Sequence, residues 1–239
     1  MRTLIIGTIF IFIMSCQQRS KINYENKIDT IAVEEIQKDT TKILVAQLPV
    51  KFDSTESLIF AVSAISISGR NGISKSTYDY YGSTDSDASY FRNDHLTGDF
   101  VNVIFRDNNG NDRKLTHHKM KISDIVFLRP IFESTRKGFI LYTVNDRDTN
   151  GDNVYNYQDL EALYISKADG SEFKKLSKEL NEFYDYTIIK GEAKLYFRTL
   201  EDRNKDGVLN NKDKFHHFQL EFTSDNYTIS EYNPIKILE

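Results

Sequence analysis

Across 239 residues the chain has one cysteine, three prolines, eleven glycines and no tryptophan. A lone cysteine excludes an intramolecular disulfide, so a domain placed in an oxidising compartment must rest on an ordinary apolar core. So little proline and glycine excludes collagen-like and low-complexity chains, and the missing tryptophan weakens any sugar-stacking site. A surplus of one charge is lacking too: 31 Lys and Arg against 35 Asp and Glu leave −4 at pH 7. Nothing is left over to neutralise a run of phosphates, and no nucleic-acid partner is expected. No apolar run reaches the roughly 20 residues that span a bilayer. Catalytic signatures are also missing: there is no nucleophile elbow, no H-E-x-x-H, no phosphate loop and no plausible Ser/His/Asp set. A non-enzyme is expected, although the carboxylate pair of a glycoside hydrolase is a tertiary feature that sequence leaves open.

What is there begins with the place of that cysteine. Met1 and Arg2 lead into an apolar run from Leu4 to Met14, and Ile13, Met14 and Ser15 precede Cys16. A short apolar run between a basic start and a small residue reads as a signal peptide. The segment resembles a bacterial lipoprotein signal with its lipobox, with Met14 where a small residue is commoner. The resemblance implies removal of residues 1–15, diacylglycerol on the Cys16 sulfur and an N-acyl chain. At about 0.8 kcal/mol per buried methylene, several chains make a firm anchor. An ordinary secretory signal or an uncleaved anchor is the alternative. Residues 16–41 are polar with scattered Ile28, Ile31, Val33 and Ile36, which suits a lipid-anchored tether. Gln17 after the cysteine resembles lipoproteins of the outer membrane in Gram-negative bacteria. The expected location is therefore the cell envelope, outer membrane in preference to inner, with the membrane as a partner through the N-terminal lipid.

Residues 42–239 read as an all-β domain: apolar runs of four to seven, rich in Ile, Val, Phe and Tyr, alternate with Gly, Asn, Asp and Ser clusters. Only Ser177 to Phe183 and Gln158 to Ala162 have a helical look. Three units superpose, at about 42–116, 122–177 and 183–232, as copies of a four-stranded antiparallel unit of which the first is the least regular. In the middle unit the strands are Ile122 to Leu128, Phe139 to Val144, Ala162 to Ser166 and Phe173 to Leu176. Asp169-Gly170 is expected to turn the last pair as a two-residue hairpin. The next unit repeats this at Tyr186 to Ile189, Leu195 to Leu200, Phe215 to Phe222 and Tyr227 to Ile229. The first holds Ser57 to Val62, Val101 to Phe105 and Arg113 to Leu115.

Residues 163–177, which run Leu-Tyr-Ile-Ser-Lys-Ala-Asp-Gly-Ser-Glu-Phe-Lys-Lys-Leu-Ser, resemble the hairpin that closes each four-stranded blade of TolB-like β-propellers; Val103 to Thr116 is a weaker copy. The resemblance implies a propeller-like array of antiparallel units. Propellers close with about four to eight blades, and three are counted, so a hidden fourth unit, an open ring and a ring completed by two chains stay open. A β-sandwich is the alternative.

The sharpest chemical signal lies between the second and third strands. Asp202, Asn204, Asp206, Gly207, Val208, Asn210 and Asp213 fit D-x-N-x-D-G-x-x-N-x-x-D, which resembles the calcium loop of EF-hands and, more closely, dockerins. Calcium takes about six to eight oxygens, so alternating side chains at loop positions 1, 3 and 5 converge while glycine at 6 permits the sharp turn. Asp202, Asn204 and Asp206 would ligate, with the Val208 carbonyl, Asn210 directly or through water, and Asp213. The preceding unit carries Asp146, Asp148, Asn150 and Gly151, placed 56 residues before Asp202, Asn204, Asp206 and Gly207; Asn156 and Asp159 match Asn210 and Asp213 at 54. That mixed register implies two extra residues in the earlier loop, with Asp152 as an added ligand. Strands flank both loops, so one or two structural calcium ions are expected in place of a helix-opening sensor.

Other signals are slighter. His117-His118 and His216-His217 are adjacent pairs, and neighbours in a strand face opposite sides, so neither pair is expected to hold a metal. Lys75 to His95, with Tyr78, Tyr80, Tyr81, Tyr90 and Phe91, is an aromatic insertion of the kind that binds ligands or lies solvated on the scaffold. The sequence thus points to a non-catalytic, calcium-stabilised, lipid-anchored envelope protein whose repeats present a surface to a protein or glycan. The alternatives are a hydrolase of an envelope polymer or glycan, marked by a perturbed carboxylate pair outside the loops, and a subunit of a larger complex.

Overall fold

Short runs of β-branched and aromatic residues fold as strands when at least one face can be buried, and this chain does so throughout. A computed structural model describes residues 21–24, 42–66, 90–223 and 226–238. The proposed acylation site Cys16, and Tyr78, Tyr80 and Tyr81 of the insertion, lie outside the described residues.

Strands β1 (Lys42–Ala46) and β2 (Leu58–Ser66) pair first. A hairpin of β3 (Tyr90–Arg92) and β4 (His95–Phe100) then leaves that sheet, and β5 (Asn102–Arg106) and β6 (Asp112–Lys114) return to it, giving the order β1-β2-β5-β6. The second sheet is built from β7 (Lys121–Phe127), β8 (Phe139–Asn145), β9 (Ala162–Lys167) and β10 (Lys174–Lys175); β4 pairs with β7, extending the order to β10-β9-β8-β7-β4-β3. The third is a plain meander of β11 (Asn181–Ile189), β12 (Lys194–Glu201), β13 (Lys214–Phe222) and β14 (Tyr227–Tyr232). Every pairing is antiparallel. The fold is all-β, and β3 and β4, which fall inside the first unit read from the sequence (42–116), belong to the second sheet, so units and sheets do not coincide there.

Side-chain alternation shows how the sheets pack. Along β8, Ile140, Tyr142 and Val144 enter one apolar cluster with Ile59, Val103 and Phe105 of the first sheet. Phe139 and Leu141, on the opposite face, enter a second cluster with Leu195, Phe197 and Leu220 of the third. The middle sheet is therefore covered on both faces, which is why β8 reads as an almost unbroken apolar run. Gly170 lets sheets one and two approach closely: a Cβ there would fall 2.4 Å from the Phe105 ring, and its φ is +76°.

Three local features differ from the sequence reading. The β9–β10 turn holds three residues, closed by Lys167 N–H to the Ser171 carbonyl and Gly170 N–H to the Lys167 carbonyl, both at 2.9 Å. The β5–β6 turn repeats it, with Asp107 and Gly110 in the same roles; a left-handed glycine in third place makes this the three-residue hairpin. Segments 158–162 and 177–183 form turns running into strands, and α1 (Arg129–Thr135) is the only α-helix among the described residues. Its start is set by Pro130, whose fixed φ and missing N–H suit a first turn. The described end of the aromatic insertion packs on the second sheet: Phe91 meets Phe52 at 5.6 Å, and Arg129 grips Asp94 through two hydrogen bonds of 2.8 and 2.6 Å.

Candidate metal centre

The connection from β12 to β13 is a twelve-residue loop, 202–213, in which side-chain oxygens take up backbone N–H groups in sequence. Gly207 N–H donates to Asp202 Oδ2 at 2.8 Å, Asp206 N–H to Asn204 Oδ1 at 3.1 Å and Val208 N–H to Asp206 Oδ1 at 2.9 Å. Lys212 N–H donates to Asn210 Oδ1 at 3.0 Å, while Asp213 ties the ends by accepting from Asn210 N–H at 2.6 Å and Arg203 N–H at 3.2 Å. Asp, Asn and Gly are what such a loop needs, because short polar side chains satisfy the local backbone.

The connection from β8 to β9 repeats this network at a constant spacing of 54. Asn153 N–H donates to Asp148 Oδ2 at 2.7 Å, Asp152 N–H to Asn150 Oδ1 at 2.9 Å and Val154 N–H to Asp152 Oδ1 at 2.8 Å. Gln158 N–H reaches Asn156 Oδ1 at 2.7 Å, and Asp159 accepts from Asn156 N–H at 2.9 Å and Thr149 N–H at 2.7 Å. Backbone angles agree: φ is positive at Gly151 and Lys205 (82° and 55°) and again at Asn153 and Gly207 (63° and 81°). Residues 148–159 therefore correspond to 202–213 without an insertion.

This corrects the register expected from sequence. Asp146 stands outside the loop: its Oδ2 accepts from Lys175 Nζ at 2.6 Å and from the Tyr164 hydroxyl at 2.7 Å, so it is already paired with a cation. Asp152 takes the fifth position of the loop, equivalent to Asp206, and not a place in an insertion. Matching glycine to glycine misleads because each loop requires left-handed backbone twice and has glycine at a different one of the two places.

Each loop brings three carboxylates, Asp148, Asp152 and Asp159 or Asp202, Asp206 and Asp213, together with two Asn side chains and a valine carbonyl. Among the described residues no group of three or more His, Cys, Asp or Glu stands ready to hold a metal, and Asn or carbonyl donors lie outside such a grouping. Two observations nevertheless fit a cation. Asp202 is 3% exposed, and its Oδ1 is buried with no hydrogen-bond partner. An ionised oxygen left so costs roughly 1–3 kcal/mol or more. Asp159 is 1% exposed; burial pushes its carboxyl above the ordinary range, against the lowering by N–H donors, and the nearby Asp148 charge adds to the rise. An all-oxygen donor set of this kind suits a hard divalent ion. Asp206, by contrast, is held below the usual range, chiefly by the Val208 N–H and the Asn204 amide.

A third element joins the loops, and the sequence carried no signal for it. Ile22 N–H donates to the Gly207 carbonyl at 2.9 Å, Asn23 N–H to the Thr149 carbonyl at 2.7 Å, and the Tyr24 hydroxyl to Asp202 Oδ2 at 2.9 Å. Burial, and then the Asp202 carboxylate, push the Tyr24 phenol well above its ordinary value.

The histidine pairs split between faces. His216 is buried with its ring nitrogens 2.6 Å from Glu231 Oε1 and 2.7 Å from Glu201 Oε2, whereas His217 packs edge-on to Tyr232. His117 and His118 are exposed. Away from the loops, a cleft of about 330 Å³ between the second and third sheets is lined by Asp124, Glu161, Asp185, Tyr186 and His95. His95 Nε2 lies 2.7 Å from Asp124 Oδ1. Arg198 holds the Asp185 carboxyl below the usual range, opposite to the raised pKa of a general acid.

No protein-family model matches the chain, and no curated protein and no solved structure matches it either. No helix among the described residues is long and apolar enough to cross a membrane.

Proposed function

We propose that the protein is a non-catalytic, lipid-anchored component of a bacterial cell envelope, in which two structural calcium ions brace a propeller-type β-repeat domain that presents a binding surface. The repeated loop network with the buried, unpartnered Asp202 Oδ1 carries this reading. Asp202, Asn204, Asp206, Val208, Asn210 and Asp213 would hold one ion, and Asp148, Asn150, Asp152, Val154, Asn156 and Asp159 the other. Bound calcium supplies fixed positive charge, which lets long inter-strand connections keep three carboxylates each near the sheet ends. Three antiparallel sheets of four, six and four strands, packed face to face, support the propeller-type reading, as blades of a propeller stack in that way.

The outer face of the third sheet supports a binding role. Tyr184 is 54% exposed and stands edge-on to Phe215 at 4.9 Å, with the Arg198 guanidinium over both rings. Fixed rings with a polar edge of this sort suit contact with a protein or glycan.

Calorimetric titration and thermal unfolding of the chelator-stripped mature chain test the reading. Saturable binding of two calcium ions with a higher melting temperature is expected, each of Asp202→Ala and Asp148→Ala removing one ion. Absence of binding, or loss of an ion in Asp146→Ala alone, would overturn it.

A further inference from the structure

We infer that residues 21–24 clamp the two loops into a surface that faces anionic lipid, and that a cation at Asp202 locks the clamp. The inference rests on the calcium and lipid-anchor readings above. It begins from the bonds that join Ile22 to Gly207, Asn23 to Thr149 and Tyr24 to Asp202, through which four residues span both loops.

Gly207 fits the second loop for that contact. A Cβ at Gly207 would fall 2.7 Å from the Ile22 carbonyl oxygen, so any side chain would push the segment away. The first loop has Asn153 at the equivalent place, with a φ of 63°. Ile22 itself is 8% exposed, seated as a core residue would be. Asp202 divides its oxygens: Oδ2 accepts from Gly207 and Tyr24, and Oδ1 has no donor. A cation on Oδ1 and the clamp on Oδ2 therefore share one carboxylate, and fixing its orientation for one fixes it for the other.

Chain length gives the direction. Cys16 lies five residues before Lys21, a reach of at most about 18 Å at roughly 3.6 Å per residue. Without the clamp, the first strand is β1, which begins at Lys42, 26 residues after Cys16, and the same arithmetic allows about 94 Å. The clamp thus holds the loops beside the bilayer. Their outward side chains suit that neighbour: Lys21, Arg203, Lys205 and Lys212 are exposed cations, which anionic headgroups attract. Val154 and Tyr157 are exposed on the first loop, apolar and aromatic groups of the kind that enter the headgroup region.

The test uses the full lipidated chain in vesicles of phosphatidylcholine and phosphatidylglycerol containing a spin-labelled headgroup. A fluorophore is placed at Tyr157→Cys or at Lys190→Cys; Lys190 lies in the turn at the far end of β12, about 26 Å from loop 202–213 along that eight-residue strand. In calcium the Tyr157 label should be quenched several-fold more than the Lys190 label, and chelator or Tyr24→Phe should bring the two together. Calcium should also slow exchange of the Ile22 and Asn23 amides at least tenfold. Equal quenching of both labels while calorimetry records bound calcium overturns the clamp and leaves the ion reading standing. No calcium binding overturns the ion reading and the lock with it. Unequal quenching indifferent to calcium overturns the lock alone.

Discussion

Loops 148–159 and 202–213 share one hydrogen-bond network and one pair of left-handed positions, yet they bury their charge at opposite ends. In the earlier loop the last carboxylate, Asp159, is the buried one, and the Thr149 hydroxyl joins two backbone N–H groups at its Oδ1. In the later loop the first carboxylate, Asp202, is buried and one of its oxygens has no donor. The first loop is thus closed by its own residues, whereas the second is completed by residues 21–24. Equal backbone geometry does not make equal sites, because the neighbours of each carboxylate decide what an ion adds.

Removing the proposed ions should break the comparison most severely. With free calcium at a hundred times the dissociation constant, each proposed ion would stabilise the fold by about 2.7 kcal/mol, and Asp202→Ala and Asp148→Ala should each forfeit one such increment. For a domain near 200 residues that is a fall of roughly 6–10 °C in melting temperature. Chelator should make the wild type and the two variants nearly alike, while Asp146→Ala keeps both ions and loses only its contacts with Lys175 and Tyr164. If Asp146→Ala lost an ion and Asp148→Ala did not, the constant spacing of 54 would be wrong.

The glycines come next. Gly207→Ala meets both a φ of +81° and the Ile22 carbonyl, and should destabilise by about 2 kcal/mol or more. Gly151→Ala meets a φ of +82° and should cost about 1 kcal/mol. Urea unfolding of both variants in calcium measures the difference, and equal losses would mean that the segment over Gly207 contributes nothing.

Much of the fold was legible in sequence, and the reason lies in the middle sheet. Phe139 to Val144 is apolar on both faces because sheets cover both. The site was half legible. Ligand-type residues at two-residue spacing located both loops, but a pattern anchored on glycine took Gly151 as the partner of Gly207. Backbone angles show that Gly151 matches Lys205 and Asn153 matches Gly207. Residues 21–24 carried no signal at all: Lys, Ile, Asn and Tyr have no spacing to betray a contact with Asp202, 178 residues away from Tyr24. Helix α1 was hidden because seven residues between strands are too few for a periodicity to register.

That exchange of glycines predicts a smaller gain. Lys205 holds a left-handed backbone that its side chain disfavours, so Lys205→Gly should stabilise by about 0.5 kcal/mol. Asn tolerates the same region, and Asn153→Gly should change stability by no more than a few tenths of a kcal/mol. Thermal melts at fixed calcium rank the pair, and a gain at Asn153 exceeding that at Lys205 would contradict the matched backbone.

The mildest separation of the loops is by pH. In the ion-free chain the raised folded pKa of Asp159 means that the folded state holds its proton more tightly than the unfolded one. Its contribution is full below the ordinary carboxylate range and is lost as pH rises through the raised value. Asp206, lowered by its N–H donors, works the other way, adding stability above the ordinary range that is lost as pH falls. Calcium selects ionised carboxylates, so affinity at the first loop should climb with pH across the window just above the ordinary carboxylate value, while Asp206, lowered in the second loop, adds no such rise there. Calorimetric titrations of Asp202→Ala, which leaves only the first site, and of Asp148→Ala, which leaves only the second, read the two slopes separately. A steeper slope at the second site would mean that the buried charge of Asp159 is compensated by something other than the ion.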